Sequence, residues 1–247
     1  MHISLSPQTF VGWLQQYPAE TLTILQLISC GLIILLMMRL YGATGLIVYT
    51  SVAVIVANLQ VQTATVYSFF HEPVALGTIV FTSIFIVSSI LTEYYGKNKA
   101  RQAVWLSFLA VILFSYFMLL TIGFKPANGF GSTHRAMHLL FLPTPAFIAA
   151  SLIAYMVGQL NDIWVFATLS RLTWGRLLWL RSLVAILIGG FLDILIFSIL
   201  AWMVFAPHPL PWKTVLLTYI LGPYLFRIFV AFAGIPFIYI ARLMVRK

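Results

Sequence analysis

The chain has 247 residues, 62% of them hydrophobic and 8% charged. A soluble domain carries roughly 25% charged residues, so the composition excludes water as the main solvent and implies an all-α, polytopic integral membrane protein. The net charge of +9, from 14 Lys and Arg against 5 Asp and Glu, forms no basic stripe interleaved with aromatics. Nucleic acid is therefore not an expected partner, and the charge is assigned to cytoplasmic loops.

No Lys or Arg precedes the first apolar run, so a cleaved signal peptide is not expected. A spanning helix needs about 20 apolar residues. Seven such runs are predicted, at residues 21–40, 43–59, 74–92, 102–124, 137–160, 182–205 and 214–243. The last contains Pro223 and Pro236, which bend a helix and are tolerated in a bilayer where neighbours satisfy the freed carbonyls. The connecting loops are too short to fold alone, so residues 1–247 are expected to form a single transmembrane domain. Arg39, Lys97, Lys99, Arg101, Arg171, Arg176, Arg181, Arg242, Arg246 and Lys247 fall on one side, and Lys125, Arg135 and Lys213 on the other. The positive-inside rule then sets the N-terminus outside and the C-terminus in the cytoplasm. The single cysteine, Cys30, lies in an apolar run and is expected to pack as a small hydrophobe. Trp105, Trp174, Trp179, Trp202 and Trp212 fall near predicted helix ends and are read as interfacial anchors. Gly189–Gly190, and Ala53 with Ala57, are read as close helix contacts.

Charges inside hydrocarbon cost on the order of 3 kcal/mol or more and need a partner, a cavity or a function. Asp193 and Arg227 fall near the middles of the sixth and seventh spans; a structural ion pair and a mid-bilayer substrate or proton site are both open. Glu93 and Asp162 fall at the predicted cytoplasmic ends of the third and fifth spans, where Lys97, Arg101 or Arg171 could pair with them. Ser88, Ser89, Thr92, Gln159 and Asn161 add more hydrogen-bonding capacity there than an anchor needs. Glu93 with Arg101, and Asp162 with Arg171, form a faint internal echo of the kind built by repeated transporter halves. Asn58 closes the second span as a cap or as a binding group at the outer face. Enzymatic constellations are poor. The five histidines lie at predicted loops or helix edges, no pair is read as a zinc site, and no Ser–His pair lies at depth, so an intramembrane hydrolase is disfavoured. Asp162 and Asp193 lie at different predicted depths, which argues against an aspartyl dyad. No nucleotide loop, metal or cofactor is expected.

The run from Leu91 to Arg101, with Thr92-Glu93-Tyr94-Tyr95-Gly96-Lys97 at its centre, resembles a signature of the vitamin uptake transporter family, whose best-known members import queuosine precursors. Asn58-Leu59-Gln60, the Gly158-Gln159 to Asp162 segment, Asp193 with Phe197, and Pro236 with Tyr239 resemble further family motifs, in the same order. Ser89 stands where the family usually has Asp, and Arg227 is the cation nearest its usual Lys. The resemblance implies a six-helix family core plus an extra N-terminal helix in the cell inner membrane. It also implies a small purine-like 7-deazaguanine cargo and a secondary carrier or facilitator, with an ATPase-coupled binding subunit as the alternative; a homo-oligomer is left open. Asn58, Glu93, Gln159, Asp162, Asp193 and Arg227 are the substrate-site candidates. A carboxylate, Glu93 or Asp162 first, would accept from the ring N–H and amino group of the base; Gln159 or Asn58 would read its carbonyl side. Asp193 with Arg227 would serve as a mid-membrane gate or pair.

Overall fold

The computed structural model of the chain describes residues 6–68, 70–141, 145–206 and 208–245; His2, positions 142–144 of the fifth predicted span, and the tail cations Arg246 and Lys247 lie outside the described residues. A short helix α1 (Pro7–Leu14) opens the chain, with Pro7 in its first turn and the Ser6 hydroxyl accepting from the Thr9 N–H at 3.2 Å, the usual N-terminal signals.

Helix α2 (Ala19–Gln60) is broken at Gly42, where φ is 58° and ψ −134°. The left-handed φ suits glycine, and it turns the chain back on itself. A β-carbon on Gly45 would collide with the Met37 carbonyl. The Glu20 carboxylate accepts from the Ser68 N–H at 2.6 Å and the Ser68 hydroxyl at 2.7 Å. Run straight, the helix would put Glu20 and Gln60 about 60 Å apart, at about 1.5 Å per residue. The residues from Gln60 to Ser68 could recover only about 28 Å of that. The two arms therefore lie side by side. Tyr49 of the second arm bonds Ser83 of the third span at 2.7 Å, close to Cys30 of the first arm.

A hairpin follows, β1 (Ala64–Tyr67) and β2 (Phe70–Ala75), antiparallel with Ala64 opposite Ala75 and an irregularity between Thr65 and Tyr67. This corrects the expected start of the third span at residue 74. Gly77, with φ 81°, ends the excursion and α3 (Thr78–Tyr94) begins. Although short, α3 is the axle of the bundle. Ile84, Phe85, Ile86, Val87, Ile90 and Leu91 are at most 1% exposed, and α3 packs against α2, α4 (Lys97–Gly123), α6 (Pro145–Leu172), α7 (Leu178–Ile199) and α9 (Gly222–Val245). Between α4 and α6 lies α5 (Gly131–Phe141).

Helix α6 continues to Leu172, twelve residues beyond the expected end at 160. The polar run from Gln159 to Asp162 does not reach an interface; Ile163 and Phe166 just beyond it are buried at 1% exposure. Helix α7 widens into a π-turn at Leu200–Val204. The last span begins with α8 (Trp212–Thr214) and a π-helical stretch, Val215–Leu221, that runs into α9. Pro223 cannot donate to the Tyr219 carbonyl four residues back; the Ser198 hydroxyl of α7 does so, at 3.2 Å. Ala19–Gln60, Lys97–Gly123, Ile148–Leu172, Leu178–Val204 and Trp212–Met244 are long and apolar enough to cross a membrane, and the shorter α3 is apolar as well.

Glycines set the closest approaches. A β-carbon at Gly158 would lie 2.8 Å from the Asp193 Cβ and 2.9 Å from the Gly189 carbonyl oxygen. One at Gly189 would lie 2.7 Å from the Gly158 carbonyl oxygen and 2.9 Å from the Asp162 Cβ. Helices α6 and α7 thus meet backbone to backbone, as small residues allow in lipid. A β-carbon at Gly190 would meet the Arg227 side chain instead, at 2.7 Å. Gly31, in the first arm of α2, leaves room for the ring of Phe237 in α9.

Candidate functional site

A cavity of about 490 Å³ opens at the hairpin end of the bundle, within the size range of small-molecule sites. Exposed Gln62, Thr63 and Ala64 mark its mouth. Its walls come from α2 (Asn58), α3 (Phe81), α6 (Ser151), α7 (Asp193, Phe197, Ser198), the π-turn (Trp202) and the last span (Tyr219, Pro223, Arg227).

An ion pair lines it at depth. Arg227 Nη1 donates to Asp193 Oδ2 at 3.1 Å and to the Gly190 carbonyl oxygen at 2.8 Å. Asp193 is 6% exposed and Arg227 4%. The guanidinium lies 5.5 Å from the ring centre of Phe81 and 5.4 Å from that of Phe85, a cation–π cradle that favours a desolvated cation. The Gly190 carbonyl is reachable because no side chain stands in front of it. Charge, carbonyl and aromatic faces together hold Arg227 where an isolated cation would not stay.

Nearer the mouth, Asn58 Nδ2 donates to the Val54 carbonyl at 2.9 Å, and Asn58 Oδ1 accepts from Ser151 Oγ at 2.6 Å. Asn58 therefore does not cap its helix; it fixes α2 to α6 and presents an amide edge to the cavity. Trp202 and Tyr219 face each other with ring centres 4.5 Å apart at 33°. Trp202 is thus a wall of the cavity rather than the interfacial anchor expected. The other four expected anchors, Trp105, Trp174, Trp179 and Trp212, are exposed, from 43% at Trp179 to 91% at Trp174.

Three of the expected site residues, Asn58, Asp193 and Arg227, line this cavity; Glu93, Gln159 and Asp162 do not. Glu93 closes the opposite end of the bundle. Its carboxylate takes a two-pronged ion pair from Arg181, at 2.9 and 3.0 Å. Arg181 also donates to Ser170 Oγ at 2.6 Å and to the Gly175 carbonyl at 3.1 Å. The partner of Glu93 is thus distant in sequence, in place of Lys97 or Arg101. Asp162 lies within α6, not at its end, level with Gly189 and one turn beyond the Gly158–Asp193 contact. Its depth differs from that of Asp193 by only about 6 Å, one turn of helix. The echo between Glu93 and Asp162 fails for the same reason, since one ends a helix and the other does not.

Sequence reasoning also missed Phe81, Ser151 and Tyr219. Phe81 stands twelve residues before Glu93, outside any polar cluster. One histidine pair was passed over: His134 and His138, one turn apart on α5, bring their Nε2 atoms to 3.0 Å. Among the described residues no third ligand joins them in a metal-binding group.

Residues 75–241 match the family model described as "Putative vitamin uptake transporter". The chain is 29% identical to the probable queuosine precursor transporter of Bacillus subtilis (strain 168) over 215 residues, 87% of this chain and 90% of that one. It is 29% identical to the queuosine precursor transporter of Escherichia coli (strain K12) over 146 residues, 59% of this chain and 62% of that one. No solved structure matches.

Proposed function

The chain belongs to the vitamin uptake transporter family, and we propose that it imports a queuosine precursor, a 7-deazaguanine-type base, across the cell inner membrane for salvage into modified tRNA. It works without catalytic chemistry, as a secondary carrier or facilitator. The observation that carries the reading is the Asp193–Arg227 pair set deep in an aromatic-walled cavity. A guanine-like edge carries a ring N–H and an amino group, both of which a carboxylate accepts, and a carbonyl, to which a guanidinium or amide donates. Asp193 supplies the first, and Arg227 and Asn58 the second. The flat ring stacks on Trp202, Tyr219 or Phe81. Asp193 takes the role expected of Glu93 or Asp162, because it alone of the three borders the cavity.

We further propose seven spans, counting the two arms of α2 separately and including α3. The N-terminus is then outside and the C-terminus cytoplasmic. Support comes from the turn at Gly42 and from the alternation of basic loops. In this orientation the hairpin and the cavity mouth face outward, and the Glu93–Arg181 pair closes the cytoplasmic end.

The test is uptake of a labelled 7-deazaguanine base into cells lacking both their own importer and their own synthesis. Uptake is expected with the wild-type chain and not with Asp193→Ala. Trp202→Ala should raise the half-saturating concentration roughly 5- to 150-fold, since one base–aromatic stack contributes about 1–3 kcal/mol. No uptake by folded, membrane-inserted protein would reject the substrate. Uptake only with co-expressed ATPase subunits would reject the secondary carrier.

A further inference from the structure

Below the cavity floor lie buried polar side chains that the substrate site does not use. Asp162 is 0% exposed, and among the described residues neither carboxylate oxygen has a hydrogen-bond partner. Ser88 of α3 faces it without closing a bond of standard geometry. Ser89 Oγ, Gln159 Nε2 and Ser182 Oγ are likewise buried without partners, on residues at most 1% exposed. Asp162 sits level with Gly189, and farther along α6 Ser170 joins the Glu93–Arg181 pair. Ser170 lies about 12 Å from Asp162 along α6, at about 1.5 Å per residue.

The charged groups nearby are engaged elsewhere. Asp193 of α7 is held by Arg227 of α9. Glu93 of α3 is held by Arg181 of α7. Tyr155 of α6 shares a hydrogen bond with Ser107 of α4 at 2.6 Å. None of these cations compensates Asp162. A lone ionised carboxylate in a dry interior is too costly to persist; it is neutralised by taking up a proton or a cation. The surrounding hydroxyls can both donate and accept, so they suit a carboxyl that alternates between two protonation states.

We propose that Asp162 is a proton-binding site that couples precursor import to the inward flow of protons. The inference rests on the transport reading above. A proton taken from the outer face forms the O–H of the Asp162 carboxyl while the base occupies the cavity. It is released to the cytoplasm when the Glu93–Arg181 end opens, leaving the carboxylate to be protonated again from outside. One proton enters with each cargo molecule, and no covalent bond other than that O–H changes.

The test uses the full chain reconstituted in liposomes, with two readouts. The first needs no substrate: in infrared difference spectra across a pH titration, the other four side-chain carboxyls give their own carbonyl-stretch bands on protonation, and one further band, that of the Asp162 acid, should be present in wild type and missing from Asp162→Asn. The second is uptake of the labelled base under an inward proton gradient, an inward sodium gradient, or none. Wild type should accumulate the base above equilibrium only with the proton gradient. Asp162→Asn should still exchange internal for external base but lose at least ~10-fold of the gradient-driven accumulation.

An unchanged set of acid bands in Asp162→Asn, undiminished accumulation by it, or wild-type accumulation driven by sodium would each overturn the proposal. If wild type carries no base yet the band vanishes in the variant, the proton site stands and the transport reading fails. Should Asp162→Asn not fold, Ser88→Ala keeps the carboxyl and should move the pH midpoints of band and uptake together. Unmoved or separately moving midpoints would overturn it.

Discussion

Ser198 on α7 donates to the Tyr219 carbonyl of the last span at 3.2 Å, the carbonyl that Pro223, four residues on, cannot serve. A side chain of one helix thus completes the backbone of another, directly in the cavity wall. Ser198→Ala should cost about 1 kcal/mol, the ordinary worth of such a bond, read as a lower unfolding temperature in detergent. In a Pro223→Ala background, where a backbone N–H returns, the same change should cost measurably less. Equal losses in both backgrounds would mean that the proline and the hydroxyl are unrelated.

Removing one partner of the Asp193–Arg227 pair should destabilise more than removing both. Arg227→Met strands a buried carboxylate and is expected to cost about 3–5 kcal/mol. Adding Asp193→Leu should restore folded protein but not uptake. Restored uptake in the double variant would show that the pair is glue alone.

Glu93 is expected to matter for stability and not for substrate affinity. It stands about 22 Å along α3 from Thr78 at the cavity mouth, at about 1.5 Å per residue. Its side chain is 22% exposed against 1% for Arg181, so Glu93→Gln should cost about 2 kcal/mol, less than a fully buried pair would. The concentration for half-maximal uptake should be unchanged. A 10-fold rise in that concentration with stability intact would place Glu93 on the substrate path.

Gly158→Ala and Gly189→Ala should each force α6 and α7 apart, since the added carbon would sit under 3 Å from the facing backbone. Overpacking of this kind costs about 1–3 kcal/mol, and because the contact forms the floor under Asp193, uptake should fall at least in proportion to folded protein. Wild-type unfolding temperatures in both variants would mean that the helices can separate there without loss.

The apolar mass that marks a membrane protein is written in composition, and so is the seam between the two arms of α2, where Tyr41-Gly42 interrupts the run. Other features depend on partners far along the chain. The end of α6 is expected at Gln159-Leu160-Asn161-Asp162 because polar residues in lipid-facing helices mark interfaces; here Gln159 and Asp162 are buried, with Asp162 against Gly189 of α7, so polarity signals interior. Arg181 reaches Glu93 across 88 positions, and local spacing pointed to nearer cations. The hairpin escaped because Val74 begins an apolar run that only Pro73 and Gly77 punctuate. Trp202 reads like any aromatic at a helix end until Tyr219 is brought against it.

The seat that Gly31 makes for Phe237 joins the first long helix to the last. Every span between them must be threaded before that contact can form, so the first arm of α2 enters the membrane with one face uncovered and keeps it so until α9 is made. A chain cut short before Phe237 is left with a seam that only lipid or a chaperone can cover.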